Sequence, residues 1–540
     1  MGVGFHSHSP SRVAGEQDRE TTSKLSPGPP TLPLIGNLHQ MPEHKNHLQF
    51  QKWANEYGPV YSLMLGTQVM IVLSSDQAVK DLLDKRSAIY SSRPESYIGQ
   101  EILSGGLRPL LMRYDQTWRM VRKLAHSVLN VRVARTYVPY QDLEVKSLLV
   151  ELVDKPHDFI NHLRRYTTSL TTQMTFGYRM PTSDDSRLLE MFDIFESFSE
   201  MMGSKASNLL NVYPILRKLP DIFLPMRKFG KELHERERRL FMGHYQDTRA
   251  RLKDGTSKPC CCIDLLRLQK EQNFSEDLAC YMSGSLLQAG SETTSAVLIG
   301  FFQAMVIFPE VARLAQAELD RVCGDRLPDL NDVHDLPYIR GCMKESLRWM
   351  PTVVLGVPHA VTQDDSYIGY HIPKDATVIL NVWSIHNDAK RHPDPRKFDP
   401  SRWGGDGQNS ADAAANPDAS KRDHFSFGAG RRICQGMHIA DRSLFLVIAR
   451  TLWAFDFRRA VDEETKEEVV PDMDDVMGAL FIQPSPFKAD IVPRSEKKKA
   501  AVMEEWDQVR ELLDDNLQWK TVPEGLIWRD YDETKEDGKE

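Results

Sequence analysis

The sequence predicts a mainly α fold with small β-sheets near its two ends. Three observations predict it. Apolar residues recur at helical spacing through most of residues 115–350. Two runs rich in β-formers, residues 60–66 and 69–73, flank a Gly-containing turn near the start. Short strand-like runs follow at residues 367–372 and 377–382.

Residues 1–26 are polar and read as disordered. Ordered structure is expected from the stiff Pro27-Gly28-Pro29-Pro30. The runs at 60–66 and 69–73 read as a hairpin, and 76–84 as a short helix. Residues 277–308 form the clearest helix, ended by Pro309. Its apolar part, 286–308, is the one long apolar stretch. Gln288, Glu292 and Gln303 are costly in lipid, so it reads as a buried helix. A second helix spans 335–350, with Asp335 as its cap and Pro337 in its first turn. A third starts just after Cys434 and runs to Trp453. Residues 404–423, small and polar, read as a surface loop. Beyond Pro493 the chain is charged. Val502, Trp506, Val509, Leu513 and Leu517 keep helical spacing there, which predicts an amphipathic helix packed back on the body. Three parts result: a leader, 1–26; a body, 27–494; and a charged C-terminal extension, 495–540.

The 540 residues carry 68 Lys plus Arg against 76 Asp plus Glu, a net charge of −8. That mild acidity argues against a nucleic-acid binder, which would show a basic stripe. Seven cysteines, an odd number with no C-x-x-C pair, exclude a disulfide framework and a zinc ribbon. Cys260-Cys261-Cys262 reads as a loop or helix start. The first thirty residues hold no apolar signal-peptide core. With no secretory signal, the sequon at Asn273 is expected to be unused. His6 stands where a myristoylation signal needs Ser or Thr. No H-E-x-x-H, C-x-x-C-H or G-x-S-x-G occurs, which removes zinc-protease, c-type haem and hydrolase readings.

The most informative segment is Phe427-Gly-Ala-Gly-Arg-Arg-Ile-Cys434-Gln-Gly436. Glycines let a backbone turn sharply and approach a flat ligand closely. Loop N–H groups can point at a sulfur, and the helix that follows offers its N-terminus to it. With Arg432 nearby, these effects are expected to favour thiolate, a ligand for a soft or borderline metal. A phosphate loop does not fit: the third Gly and the Lys-Ser/Thr ending are missing. Elsewhere Glu345 and Arg348 share a helical face, as do Trp118 and Arg122. Ala289-Gly-Ser-Glu292-Thr293-Thr294 puts a Gly and polar groups inside an apolar helix, a combination that needs compensation.

The loop resembles the haem-thiolate signature of the cytochrome P-450 family at every defined position: Phe427, Gly430, Arg432, Cys434 and Gly436. Glu345–Arg348, Phe398–Arg402, Ala289–Thr294 and Trp118–Arg122 resemble further elements of that family, over roughly residues 27–494. Ser401 departs from the common Glu. The resemblance implies the cytochrome P-450 fold, with haem b between a long central helix and a Cys-bearing loop before a helix. It implies Cys434 as axial iron ligand, and Trp118, Arg122, Arg432 and His359 as propionate partners. Phe427 belongs to the same cofactor site. Glu292 and Thr293 are implied to deliver protons, and Gly290 to allow a local widening of the helix where dioxygen binds.

The activity so implied is a monooxygenase that oxidises a lipophilic small molecule with O2 and electrons from NADPH through a separate cytochrome P-450 reductase. Fungal secondary metabolism is the expected setting. The pocket is expected to draw on 98–111, 286–293, 353–355 and the region of Leu480. Location is expected at the endoplasmic reticulum membrane surface, or in the cytoplasm, since no N-terminal membrane helix is visible; peripheral membrane association remains open. A haem-thiolate isomerase or dehydratase and a non-catalytic haem sensor are the alternatives. Retention of Glu292-Thr293 favours oxygen activation.

Overall fold

The computed structural model describes residues 24–526. The expectations placed on His6 and most of the leader lie outside them. Order begins slightly earlier than expected: the His371 N–H donates to Lys24 O (3.0 Å) and the Ser62 N–H to Pro27 O (2.8 Å). Strand β1 (Val60–Leu65) pairs antiparallel with β2 (Gln68–Leu73), Val60 opposite Leu73. Gly66 makes the turn with a positive φ of 60°. Strands β3 (His359–Ala360) and β4 (Thr377–Leu380) complete a sheet of order β1-β2-β4-β3, in which β2 and β4 are parallel. The run at 367–372 is not one strand. Asp365–Tyr367 and Tyr370–Ile372 form a hairpin, because Ile368 and Gly369 both take positive φ between them.

The body is helical. The helices that matter for the site are α1 (Gln116–Leu129), α2 (Val138–Asp154), α3 (Phe159–Phe176), α4 (Ser186–Gly203), α5 (Pro225–Lys253), α6 (Glu276–Ile307), α7 (Pro337–Trp349), α8 (Met437–Ala454) and α9 (Glu496–Arg510). Asp115 caps α1 and Ser275 caps α6, each accepting a backbone N–H two or three residues into its helix. Asp335 does not cap α7. That helix starts from Leu336 with Pro337 in its first turn. The main core joins α2, α3, α6, α7 and α8 around Phe301, Phe302, Trp349 and Trp453. Helix α6 runs through its centre. No single helix among the described residues is long and apolar enough to cross a membrane.

Three further expectations need correction or sharpening. The triple cysteine opens a helix, Cys261–Gln272. The segment at 404–423 is not a bare loop, since it holds a short helix (Ser410–Ala415) and buries Ser410, Ala413, Arg422 and Asp423. In the extension, α9 stops at Arg510, so Leu513 and Leu517 are not helical. The chain turns there, and Leu513 bridges to Trp519. The turn clips onto the body: Trp519 Nε1–H donates to Gln173 Oε1 (2.7 Å), and the Arg179 N–H to Gln518 Oε1 (2.8 Å).

Trp519 is 8% exposed. Trp519→Ala removes a buried ring and the hydrogen bond it donates to Gln173 Oε1, so it should cost about 3 kcal/mol of stability, read from the denaturant midpoint. An unshifted midpoint would place the extension outside the cooperative fold.

Candidate active site

The Cys loop is held by its own backbone. The Cys434 N–H donates to Phe427 O (2.9 Å), and the Gly428 N–H to Phe425 O (2.8 Å). Gly430 has φ +62°, and a Cβ there would meet Leu83 O at 2.0 Å, so only glycine fits. Its N–H donates to Asp84 Oδ1 (2.7 Å). Phe427 is half-buried and its ring lies against His424. Behind the loop stands a buried charge network. Glu345 accepts from Arg348 Nη2 (2.6 Å) and Nε (2.8 Å), Arg402 Nε (3.3 Å) and Trp403 Nε1 (3.1 Å). Arg348 Nη1 also donates to His386 O (2.9 Å), and His386 Nε2 accepts the Phe425 N–H (2.8 Å). The network therefore fixes the residues just before the Cys loop.

Cys434 is accessible, although burial is the main influence on its thiol. The sulfur therefore faces an internal cleft rather than the outer surface. Burial raises its pKa; the Gly436 and Met437 N–H groups and the Arg122 charge oppose that rise. The N–H groups and the start of α8 act on the sulfur as the sequence suggests. The net direction is opposite to expectation, and the guanidinium concerned is Arg122 rather than Arg432. A coordinating metal would supply the missing positive charge and deprotonate the thiol.

Three guanidiniums cluster at the Cys loop, Arg93, Arg122 and Arg432, and Arg122 is the one whose charge reaches the sulfur. Arg432 Nε–H donates to Ser91 O (2.8 Å) and Nη2–H to Met112 O (2.6 Å); the group stacks 3.8 Å above the Trp118 ring. Arg122 donates to Ile433 O. Arg93 donates to Leu110 O (3.1 Å), Val357 O (2.6 Å) and Pro358 O (2.8 Å). Burial pushes all three pKa values down; Arg122 further depresses Arg93, and Arg93 and Arg122 further depress Arg432. None forms an ion pair with a carboxylate among the described residues. His359 is buried, and its Nδ1–H donates to Tyr90 O (2.7 Å). Burial, then Arg93 and Arg432, hold it neutral, well below its ordinary pKa. Arg93 is buried, Arg122 and Arg432 are half-buried, and the more distant Asp115 charge favours Arg432; such a cluster, paired with no carboxylate, suits a ligand bringing carboxylates, as haem brings two propionates. The donor set thus fits haem: one thiol, three guanidiniums, and the Trp118 indole N–H, which has no partner among the described residues. A carboxylate here would also draw a proton onto His359 Nε2.

Arg93 was not foreseen from the sequence. It lies in Ser92-Arg93-Pro94, which matches no motif used above. Its only signal is an arginine in a stretch that becomes buried.

Helix α6 carries the other candidates. Among largely buried neighbours, Ala289 is exposed, and Leu286, Gly290 and Thr293 are half-buried. These residues mark a face of α6 that opens on space within the protein. Thr293 Oγ1–H donates to Ala289 O (2.7 Å). Glu292 is half-buried, but its Oε1 is buried with no hydrogen-bond partner. Burial raises its pKa well above the carboxylate range; Arg164 opposes that and Glu196 adds to it. The helix stays α-helical through Gly290, so the expected widening is absent. A Cβ at Gly290 would meet Thr171 Oγ1 at 2.8 Å, so the glycine lets α3 approach closely. Of the expected lining segments, Ile98 and Val354 are buried, while Leu110, Val353 and Leu355 are half-buried.

Comparison with known proteins identifies the family. The cytochrome P-450 family model matches residues 26–488. Cytochrome P-450 monooxygenase virE of Hypocrea virens is 69% identical over 94% of this chain and 92% of its own length. Monooxygenase fogE of Aspergillus ruber is 60% identical over 94% of each chain. Monooxygenase fsoB of Humicola fuscoatra is 49% identical, over 94% of this chain and 93% of its own. The chain belongs to the cytochrome P-450 family and is a haem-thiolate monooxygenase.

Proposed function

We propose that this monooxygenase oxidises a lipophilic small molecule in fungal secondary metabolism, with Cys434 as iron ligand and Arg93, Arg122, Arg432, Trp118 and His359 as propionate partners. The observation that carries the site assignment is the convergence of three guanidiniums, none in an ion pair with a carboxylate among the described residues, one of which, Arg122, acts on the accessible Cys434 thiol. When bound, haem supplies dioxygen activation, and a thiolate ligand favours O–O cleavage. The chain's own residues do the rest. The carbonyls of Ser91, Met112, Val357, Pro358 and Ile433 aim the guanidiniums. Burial raises the pKa of the Glu292 carboxyl and so favours its protonated form, which suits Glu292 to hold and pass on a proton. Thr293 Oγ, its own proton given to Ala289 O, is free to accept one from a neighbour.

The family implies a reductase. NADPH–cytochrome P-450 reductase fits the surface behind the Cys loop. Helix α1 and the turn after it carry Arg119, Lys123, Arg132 and Arg135 with no Asp or Glu between residues 116 and 135, and Gln435 Nε2–H ties the loop to Arg122 O (3.0 Å). An acidic flavoprotein complements that face.

Attachment to the endoplasmic reticulum surface has its own support. Leu34 (80% exposed), Ile215 (66%), Ile222 (83%) and Phe223 (68%) are large, apolar and solvent-facing. Tyr213 O–H donates to Leu34 O (2.8 Å), so the two segments lie on one side of the molecule. Lys218 and Lys231, exposed nearby in the sequence, suit anionic headgroups.

Cys434→Ala should abolish the red-shifted Soret band of the ferrous carbon monoxide complex; persistence of the band would remove Cys434 as ligand. In an assay reconstituted with the reductase, turnover should slow with added salt, and Thr293→Ala should divert electrons to peroxide. Salt-independent turnover would rule out the basic docking face, and unchanged product per NADPH would take Thr293 off the proton path. The protein should float with vesicles of phosphatidylcholine and phosphatidylserine, and Ile222→Ser with Phe223→Ser should release it. Equal flotation of the double variant would exclude that surface.

A further inference from the structure

Helix α6 has a second face, beside the one that opens on the cleft. Tyr281, Ser285, Gln288 and Glu292 are spaced four, three and four apart. At 3.6 residues per turn they fall within an arc of about 60°. Ser285 Oγ, Gln288 Nε2 and Glu292 Oε1 are all buried, and none has a hydrogen-bond partner in the protein. Other α6 hydroxyls behave differently. Ser283 donates to Ala279 O (3.0 Å), Ser291 to Leu287 O (2.8 Å) and Ser295 to Glu292 O (3.0 Å). Ser285 makes no such return to the backbone. An unsatisfied buried polar atom costs about 1–3 kcal/mol. Three of them in one stripe, spanning about 10 Å of helix, are what a line of ordered water requires.

Both ends of the stripe are defined. At the outer end Tyr281 OH meets His234 Nδ1 at 2.5 Å. His234 is half-buried on α5, and the exposed Gly105 lies against its ring. In the middle, Arg108 fixes the Gln288 amide. Arg108 Nη1–H donates to Gln288 Oε1 (2.6 Å), and Nη2–H goes to both Glu237 oxygens (2.5 and 2.6 Å). The Gln288 carbonyl is thereby occupied, and its NH2 is presented to the stripe. At the inner end stands Glu292, faced by Arg164 of α3 and Glu196 of α4.

We propose that Tyr281, Ser285, Gln288 and Glu292 form a proton route along α6, from His234 at the surface to the Glu292 carboxyl. One proton enters from bulk water at His234. The first hop breaks an N–H bond at His234 Nδ1 and makes an O–H bond at Tyr281 as Tyr281 releases its own proton onward; each later hop makes one O–H bond and breaks another, so the line between stays neutral. The Glu292 carboxylate regains the proton it gave up. Thr293 faces the cleft, and Glu292, at the inner end of the stripe, is the carboxyl that passes its proton on toward it. Tyr281, Ser285 and Gln288 are positioning residues that hold the water. This inference rests on the proposed role of Glu292 as proton holder.

The test follows the buried carboxyl directly. Its C=O infrared band, assigned by its loss in Glu292→Gln, shifts when the proton exchanges for deuterium. In Ser285→Ala and Tyr281→Phe that exchange should slow about tenfold, a small part of what positioned proton transfer is worth. Peroxide released per NADPH should rise in both, with KM unchanged. Ser285→Thr, which keeps the hydroxyl, should restore both readouts. The ferrous carbon monoxide band reports that each variant is folded. Unaltered exchange in both variants, or a change confined to KM, would overturn the route while leaving Glu292 in place. Absence of the assigned band in the wild type would instead overturn the role of Glu292 itself.

Discussion

The site depends on three positive charges brought together with no carboxylate in an ion pair with any of them among the described residues. Burying an uncompensated charge is expensive, and burying three side by side adds mutual repulsion. The protein offsets this with backbone carbonyls. Ser91 and Met112 serve Arg432; Leu110, Val357 and Pro358 serve Arg93; Ile433 serves Arg122. Those carbonyls belong to chain segments far apart in sequence. The guanidiniums therefore act as staples: satisfying them pulls the loops near residues 91, 111 and 357 against the Cys loop. A ligand with two carboxylates then relieves the remaining repulsion, so cofactor binding and local order reinforce each other.

The Glu345 network solves a related problem on the other side of the loop. Glu345 is fully buried, and its oxygens accept from Arg348, Arg402, Trp403 and the Asp399 N–H (3.0 Å). A buried pair of this kind adds little net stability over an apolar replacement, but it is strongly directional. Through His386 it reaches Phe425, two residues before the Cys loop. It fixes where the loop starts, while the glycines fix how it turns.

The sequence disclosed much of this where a residue's role is local. Cys434 and its glycines are legible because a tight loop restricts residue type at each position. Helices α6, α7 and α8 are legible because burial imposes a period. Arg93 was not, because its partners are carbonyls of other segments, which leave no pattern around it. The hairpin at 365–372 was missed because Ile368, a β-branched residue, takes a positive φ that its type disfavours. The extension was misread beyond Arg510 because Leu513 and Trp519 are buried by a turn that happens to continue the helical spacing. The shift of the Cys434 thiol was misjudged for a related reason. Loop dipoles and an arginine can be read from sequence, whereas the depth of burial that outweighs them cannot.

Gly290 shows how packing and chemistry become one constraint. It lies where a Cβ would strike Thr171 on α3, and Gly284 where a Cβ would strike the Phe241 ring on α5 at 2.1 Å. Two close approaches to two different helices fix the rotation of α6 about its own axis. That rotation turns Leu286, Ala289 and Thr293 toward the cleft and Tyr281, Ser285, Gln288 and Glu292 toward α4 and α5. A shift of one residue in register, about 100°, would bury the first set and expose the second to apolar neighbours. The glycines thus act on the reaction without touching it. By deciding which way α6 faces, they decide which polar groups stand beside the cleft and which stand in line behind it.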